Sequence, residues 1–125
     1  MIGEGGSDSL IGGSDDNILI AGTTDYTRPG NLNVAALSAI MAEWNRTDLG
    51  FSDRVSDLLT GSNSTGLAPL NSVDGTLVLL NQTTVHADTS SDTLTGGFGR
   101  NWHFVDVDDV ITNFNFDADI KTIVN

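Results

Sequence analysis

A glycine-rich pattern with a period of nine residues limits what this chain can fold into more than any other feature. Residues 3–11 read Gly-Glu-Gly-Gly-Ser-Asp-Ser-Leu-Ile, and residues 12–20 read Gly-Gly-Ser-Asp-Asp-Asn-Ile-Leu-Ile. In this alignment Asp8 lies over Asn17 and Leu10 lies over Leu19. Each period joins a turn-forming glycine half to a short apolar half, so it predicts turns and short strands that recur at a fixed spacing.

The same period returns far downstream. Residues 87–95 read Ala-Asp-Thr-Ser-Ser-Asp-Thr-Leu-Thr, and residues 96–104 read Gly-Gly-Phe-Gly-Arg-Asn-Trp-His-Phe. Each block therefore carries Asp in its first repeat, at Asp8 or Asp92, and Asn in its second, at Asn17 or Asn101. We expect the two blocks to form successive coils of one repeat structure, with residues 23–86 as an insert between them.

The nonapeptide resembles the Gly-Gly-x-Gly-x-Asp-x-apolar-x repeat of the RTX (repeats-in-toxin, haemolysin-type) calcium-binding proteins. The order Ile-Ala-Gly-Thr-Thr-Asp-Tyr, then a Trp-bearing helix, then Asp-Thr-Leu-Thr-Gly-Gly is similar to a C-terminal arrangement of that family, in which repeats flank a partly helical insert. Residues 109–114 resemble the strand that follows such arrays. The resemblance implies a mainly β fold, namely a short right-handed parallel β-roll of about two coils with a small helical insert. It divides one domain, 1–125, into a first repeat block (2–22), the insert (23–86), and a second block with capping strands (87–125).

The resemblance also implies where Ca²⁺ would bind. Calcium takes about six to eight oxygen ligands, and the turn carbonyls and Asp carboxylates of stacked loops are of that kind. If the second block stacks on the first, Asp8 and Asp92 share one side of the roll, and Asn17 and Asn101 share the other. We expect binding on the Asp side, and weak or no binding on the Asn side unless a neighbouring carboxylate substitutes. The candidate ligands are Asp8, Asp92, Gly3, Gly6, Asn17, Asn101, Asp16 and Gly99.

The repeats depart from the family pattern at four positions. Glu4, Asp15 and Ser90 stand where glycine is expected, and His103 stands where an apolar residue should point inward.

The insert has a different periodicity. Leu37, Ile40, Met41 and Trp44 follow the i, i+3, i+4, i+7 spacing of an amphipathic helix. This predicts a helix over 33–46, capped by Asn33. A second, shorter helix is predicted from an N-cap at Ser52 to a stop at Gly61. Residues 62–75 are predicted as loop, and 76–80 and 83–85 as strands.

The amino-acid composition excludes several classes of binding partner and of stabilising site. The chain has 17 acidic and 5 basic side chains, a formal net charge of -12 and no cysteine. Phosphates of nucleic acids and anionic membrane surfaces would be repelled, and no apolar run is long enough for a membrane span. Neither disulfides nor thiolate zinc sites are available. We expect a secreted or extracellular bacterial protein, without a conventional signal peptide in this chain, whose partners are calcium ions and a larger parent protein or extracellular partner.

An alternative uses the two histidines. His86 and His103, with Asp88 and Asp106 nearby in sequence, form a candidate site for Zn²⁺ or another transition metal, and so for a small metal-dependent hydrolase. Neither histidine lies in a metalloprotease motif, and no nucleophile elbow or P-loop is present. We therefore predict a calcium-stabilised structural and interaction module without intrinsic catalytic activity.

Overall fold

The computed structural model describes all 125 residues and is mainly β, as the sequence predicts. Two helices are present, α1 (Val34–Trp44) and α2 (Phe51–Thr60). The strands are β1 (Ser9–Gly13), β2 (Asn17–Ile20), β3 (Thr23–Thr24), β4 (Ser72–Val73), β5 (Thr76–Leu77), β6 (Val85–His86), β7 (Thr93–Gly97), β8 (Asn101–Val105), β9 (Val110–Ile111) and β10 (Ile120–Ile123).

The chain divides into two compact units. We call Met1–Asp25 together with Val85–Asn125 the repeat unit, and Tyr26–Thr84 the insert unit. The boundaries lie close to the expected ends of the insert at 23 and 86. That the whole chain acts as one domain stays a prediction.

The repeat unit contains two parallel three-stranded sheets, ordered β1-β7-β9 and β10-β8-β2. In the first sheet Leu10 lies opposite Leu94, and Leu94 lies opposite Ile111. In the second sheet Leu19 lies opposite His103, and His103 lies opposite Lys121. The strands stack in levels: β1 and β2 form the first level, and β7 and β8 form the second. In both sheets, residues of the first level lie beside residues 84 positions later in the second. The long insert therefore leaves the register of the repeats unchanged.

The core of the repeat unit follows from this register. Leucines at matching positions of successive strands point to the same side, because side chains alternate along a strand. These leucines form a buried cluster together with an alanine and a valine, and Ile111 packs against it. Its members are Leu10, Leu19, Ala21, Leu94 and Val105. His103 occupies the inward slot between Leu19 and Lys121, and its side chain is completely buried.

A third level of strands goes beyond the repeats found in the sequence. The segment 109–114 forms the short strand β9, which pairs with β7, and β10 then pairs with β8. The expectation of two coils therefore accounts for only the first two of these levels.

The insert unit keeps both predicted helices, with corrections at their boundaries. Asn33 caps α1, and its Oδ1 accepts a hydrogen bond of 3.0 Å from the Ala36 N–H. α2 begins after Gly50, so the predicted cap at Ser52 is wrong, whereas Gly61 ends the helix with φ of 82° as expected.

The strand predictions in the insert also need correction. Only Thr76–Leu77 of the predicted strand 76–80 is a strand, and it forms a hairpin with Ser72–Val73, inside the segment predicted as loop. The predicted strand 83–85 is shifted to Val85–His86, which pairs antiparallel with β3 in the repeat unit.

Neither α1 nor α2 has the length and the apolar character that a membrane-spanning helix requires.

Candidate metal centre

Three aspartates form a ladder along one side of the repeat unit. Asp8, Asp92 and Asp109 each directly precede a strand of the first parallel sheet. The Asp8 N–H donates to Asp92 Oδ1 over 2.6 Å, and the Asp92 N–H donates to Asp109 Oδ1 over 2.9 Å. The carboxylates of Asp92 and Asp109 therefore each accept a hydrogen bond from the main chain of the preceding strand level. We call these three residues the Asp ladder.

The second carboxylate oxygens of Asp8 and Asp92 are buried without any hydrogen-bond partner in the protein. Gly3 lies against the first of them, because a Cβ atom built there would be 3.1 Å from Asp8 Oδ2 and 2.9 Å from the Ala21 carbonyl oxygen. Buried polar atoms are nearly always paired, and a buried charged oxygen without a partner is costly. These two oxygens, close to a glycine-rich turn, are the donor type that a hard cation prefers.

The electrostatics of the Asp ladder favour a cation. Burial raises the pKa of Asp92 above its ordinary value, and the nearby charges of Asp109, Asp88 and Asp8 raise it further. The hydrogen bond from the Asp8 N–H acts in the opposite direction. A positive ion beside these carboxylates would favour their charged forms.

Gly6 and Asp88 lie at the edge of the same ladder. Gly6 has φ of 107°, in the region that favours glycine, and its N–H donates to Asp88 Oδ2 over 3.1 Å. The other oxygen of Asp88 accepts from the Ser90 N–H over 2.8 Å. Asp88, which the sequence analysis assigned to the alternative histidine site, instead lies with the Asp ladder and contributes to its negative charge.

The opposite side carries a second ladder, formed by Asn17, Asn101 and Asp119. Asn17 Nδ2 donates to Asn101 Oδ1 over 2.9 Å, and the Asn101 N–H donates to Asp119 Oδ1 over 2.8 Å. The Gly99 carbonyl accepts from Asn101 Nδ2 over 3.0 Å. Asp16 caps the next turn, since its Oδ1 accepts from the Arg100 N–H over 2.9 Å. This ladder is thus held by hydrogen bonds among protein groups.

The two histidines lie in surroundings that differ from the shared transition-metal site that the sequence suggested. His86 Nε2 lies 2.9 Å from Asp25 Oδ1, on the antiparallel pair of β3 and β6. His103 is buried on β8, and neither of its ring nitrogens makes a well-formed hydrogen bond. Burial lowers the pKa of His103, and the charge of Asp119 and the nearby backbone of Ile120 partly oppose this. Asp106 accepts a hydrogen bond of 2.8 Å from the Asp108 N–H.

No group of three or more His, Asp or Glu side chains converges in an arrangement that could hold a metal ion. The transition-metal site would need such convergence from its side chains alone. A calcium site differs, because main-chain carbonyls supply several of its oxygens.

Sequence reasoning missed Asp109 and Asp119. Asp109 stands 17 residues after Asp92, and Asp119 stands 18 residues after Asn101, close to two nine-residue periods. The triplet Asp-Val-Ile at 109–111 also matches the Asp-x-apolar end of the repeat. The glycine half of the pattern is missing from this level, which hid the match.

Comparison with known proteins gives no match: no protein-family model, curated protein or solved structure is significantly similar to this chain.

Proposed function

We propose that this chain is a calcium-binding, calcium-stabilised extracellular module of the RTX type. Its role would be structural and interactive, not catalytic. The observation that carries the proposal is the Asp ladder, in which Asp8 Oδ2 and Asp92 Oδ2 are both buried near further carboxylates and lack any hydrogen-bond partner in the protein.

We further propose that the repeat unit is a short right-handed parallel β-roll. Three features support this architecture: the nine-residue period, the parallel pairing of β1 with β7 and of β2 with β8, and the constant offset of 84 residues between paired levels. A repeat structure of this kind tolerates a long insert when the insert begins and ends at equivalent points of two coils.

The ligands would come mainly from the Asp side. Asp8 and Asp92 would supply carboxylate oxygens, Asp109 would add charge from the third level, and the turns containing Gly3 and Gly6 would add main-chain carbonyls. Bound calcium would supply positive charge that offsets the repulsion among these carboxylates. The Asn17 and Asn101 side would bind calcium weakly or not at all, because its amides already bond to one another and to Asp119.

The proposed extracellular location rests on the calcium affinity that we expect. A site with few carboxylates suits the range of roughly 10⁻⁴–10⁻³ M that extracellular calcium modules use. Such a site would fill only where calcium is millimolar, and we therefore propose a secreted protein.

Thermal melting with and without calcium tests the proposal. We expect the melting temperature to rise as calcium is added and to fall again with EDTA, because binding to the folded state alone adds stability. Asp8→Asn should remove most of the rise. Asp117→Asn, the same change at an exposed aspartate outside both ladders, should retain it. If EDTA leaves the melting curve and the far-UV spectrum unchanged, the calcium role is wrong.

A further inference from the structure

The third level leaves one end of the repeat unit without a neighbouring strand. β9 and β10 are the outermost strands of the two parallel sheets. On β9, the Val110 N–H donates to the Asp92 carbonyl and the Thr112 N–H donates to the Leu94 carbonyl. Because main-chain groups alternate in direction along a strand, those of Asp109 and Ile111 point away from β7. An open edge of this kind is a template for another strand.

An apolar cavity opens beside this edge. Its volume is about 480 Å³, and its apolar walls include Val105, Ile111 and Phe114. Two further lining residues are almost fully exposed, Val107 at 87% and Phe116 at 90%. Exposed apolar side chains grouped around a cavity mark an interaction surface more often than scattered ones do.

The surface is strongly acidic. Four aspartates that are not buried and no lysine or arginine occur between residues 104 and 118, and two of them, Asp106 and Asp109, line the cavity. The one cation lining the cavity, Lys121, holds its amine 5.8 Å from the centre of the Phe114 ring. A second copy of this chain would bring another net charge of -12 to the same place, which disfavours self-association. The charge therefore fits a basic partner.

We propose that this end of the repeat unit binds an extended cationic peptide that adds as a strand to β9. Main-chain hydrogen bonds to Asp109 and Ile111 would align the peptide, as in other cases of strand addition. Its apolar residues would enter the cavity, and its lysines or arginines would lie near Asp106 and Asp109. The proposal goes beyond calcium binding; it shares Asp109 with the proposed calcium site, but Asp106, the apolar cavity and the strand edge would bind the peptide without calcium.

Binding of a labelled peptide, Lys-Val-Lys-Val-Lys-Val-Lys, to the full chain by fluorescence anisotropy tests the proposal. We expect binding both in calcium and in EDTA, so failure of the calcium proposal would leave it intact. The matching peptide with glutamate in place of lysine should bind at least about tenfold more weakly, because its charges oppose those of the surface. Affinity should fall as salt is raised. In amide NMR spectra, the largest shifts should occur at Asp109 and Ile111.

Two changes of the protein locate the site. Phe116→Ser combined with Val107→Ser should weaken binding roughly tenfold or more, since both side chains lose apolar contact with the peptide. Phe98→Ser is the matched control, because Phe98 is 98% exposed and does not line the cavity. It should change affinity less than about twofold.

A third peptide tests strand addition. Methylation of alternate peptide nitrogens on the side that faces β9 should abolish binding, because it removes the main-chain donors. Equal binding by the methylated or the glutamate peptide, or equal weakening by Phe98→Ser, would overturn the proposal. Sedimentation that shows the chain pairing with a second copy through Val107 and Phe116 would also overturn it.

Discussion

Asp92→Asn should stabilise the protein without calcium and should lose that advantage in calcium. Asp92 is the middle member of the Asp ladder and is 1% exposed. Its Oδ1 accepts a 2.6 Å hydrogen bond from the Asp8 N–H, while its Oδ2 has no partner. Asparagine retains an oxygen for the Asp8 N–H, removes the negative charge, and adds an amide donor among the neighbouring carboxylates.

Without calcium, the substitution should stabilise the fold. It removes a buried charged oxygen that lacks a partner, a defect that costs about 1–3 kcal/mol. For a chain of this length, each kcal/mol shifts the melting temperature by roughly 4 °C. We therefore expect the variant to melt about 4–12 °C above the wild type in EDTA.

With calcium, the wild type should gain a stabilisation of about the same size. At about 10 mM calcium and a dissociation constant of roughly 10⁻⁴–10⁻³ M, binding adds about 1.4–2.7 kcal/mol to the wild type. This corresponds to a rise of roughly 6–11 °C. The variant should lose most of that rise, because one of the two buried carboxylates that would bind the ion is gone.

The pH dependence offers a second readout. The folded-state pKa of Asp92 is raised above the ordinary value of 3.8. Without calcium, its contribution to stability is therefore largest at low pH and is lost as the pH rises through the raised pKa. The difference in unfolding free energy between variant and wild type should grow as the pH rises from 3.8 to the raised pKa. Added calcium should suppress this growth.

Differential scanning calorimetry of both proteins, in EDTA and in calcium, provides the measurement. Asp117→Asn again serves as the control for loss of one charge. A variant that melts below the wild type in EDTA would refute the argument that the ladder is strained by its own charge. A calcium-induced rise of equal size in both proteins would refute the assignment of Asp92 as a ligand.

Three further changes test other parts of the structure. Glu4→Gly should stabilise the protein by up to about 1 kcal/mol in chemical denaturation, because Glu4 holds φ of 72°, which costs a non-glycine residue energy; a loss of stability would contradict this backbone conformation. His103→Leu should stabilise the protein by about 1 kcal/mol, since neither buried ring nitrogen makes a well-formed hydrogen bond and the backbone of Ile120 satisfies them only in part. It should also remove the stability loss that the wild type shows as the pH falls from 6.5 through the lowered pKa of this histidine, and an unchanged pH profile would count against it. Arg46→Met should destabilise the insert unit by about 3–5 kcal/mol in urea unfolding, because Arg46 pairs at 3.1 Å with buried Glu43; a cost below about 1 kcal/mol would show that the pair matters little.

The sequence by itself determined the local features. The nine-residue period is written in glycines and leucines, so the order of residues alone indicated short strands and the pairing of Leu10 with Leu94. The caps at Asn33 and Gly61 were equally readable, because a helix end depends on a few adjacent residues. The placement of Asp8 with Asp92 could be expected once the blocks were aligned in register.

Tertiary structure decided what depends on pairing between distant segments. Asp109 and Asp119 join the two ladders only because β9 and β10 pair with the second level, although their segment lacks the glycine half of the repeat. His86 meets Asp25, which no local spacing could indicate, because β6 pairs with β3 across the whole insert. The unpartnered oxygen of Asp92 likewise follows from burial among three stacked levels. A period records how each segment turns, but only the packed sheets decide which segments meet and which charges are removed from water.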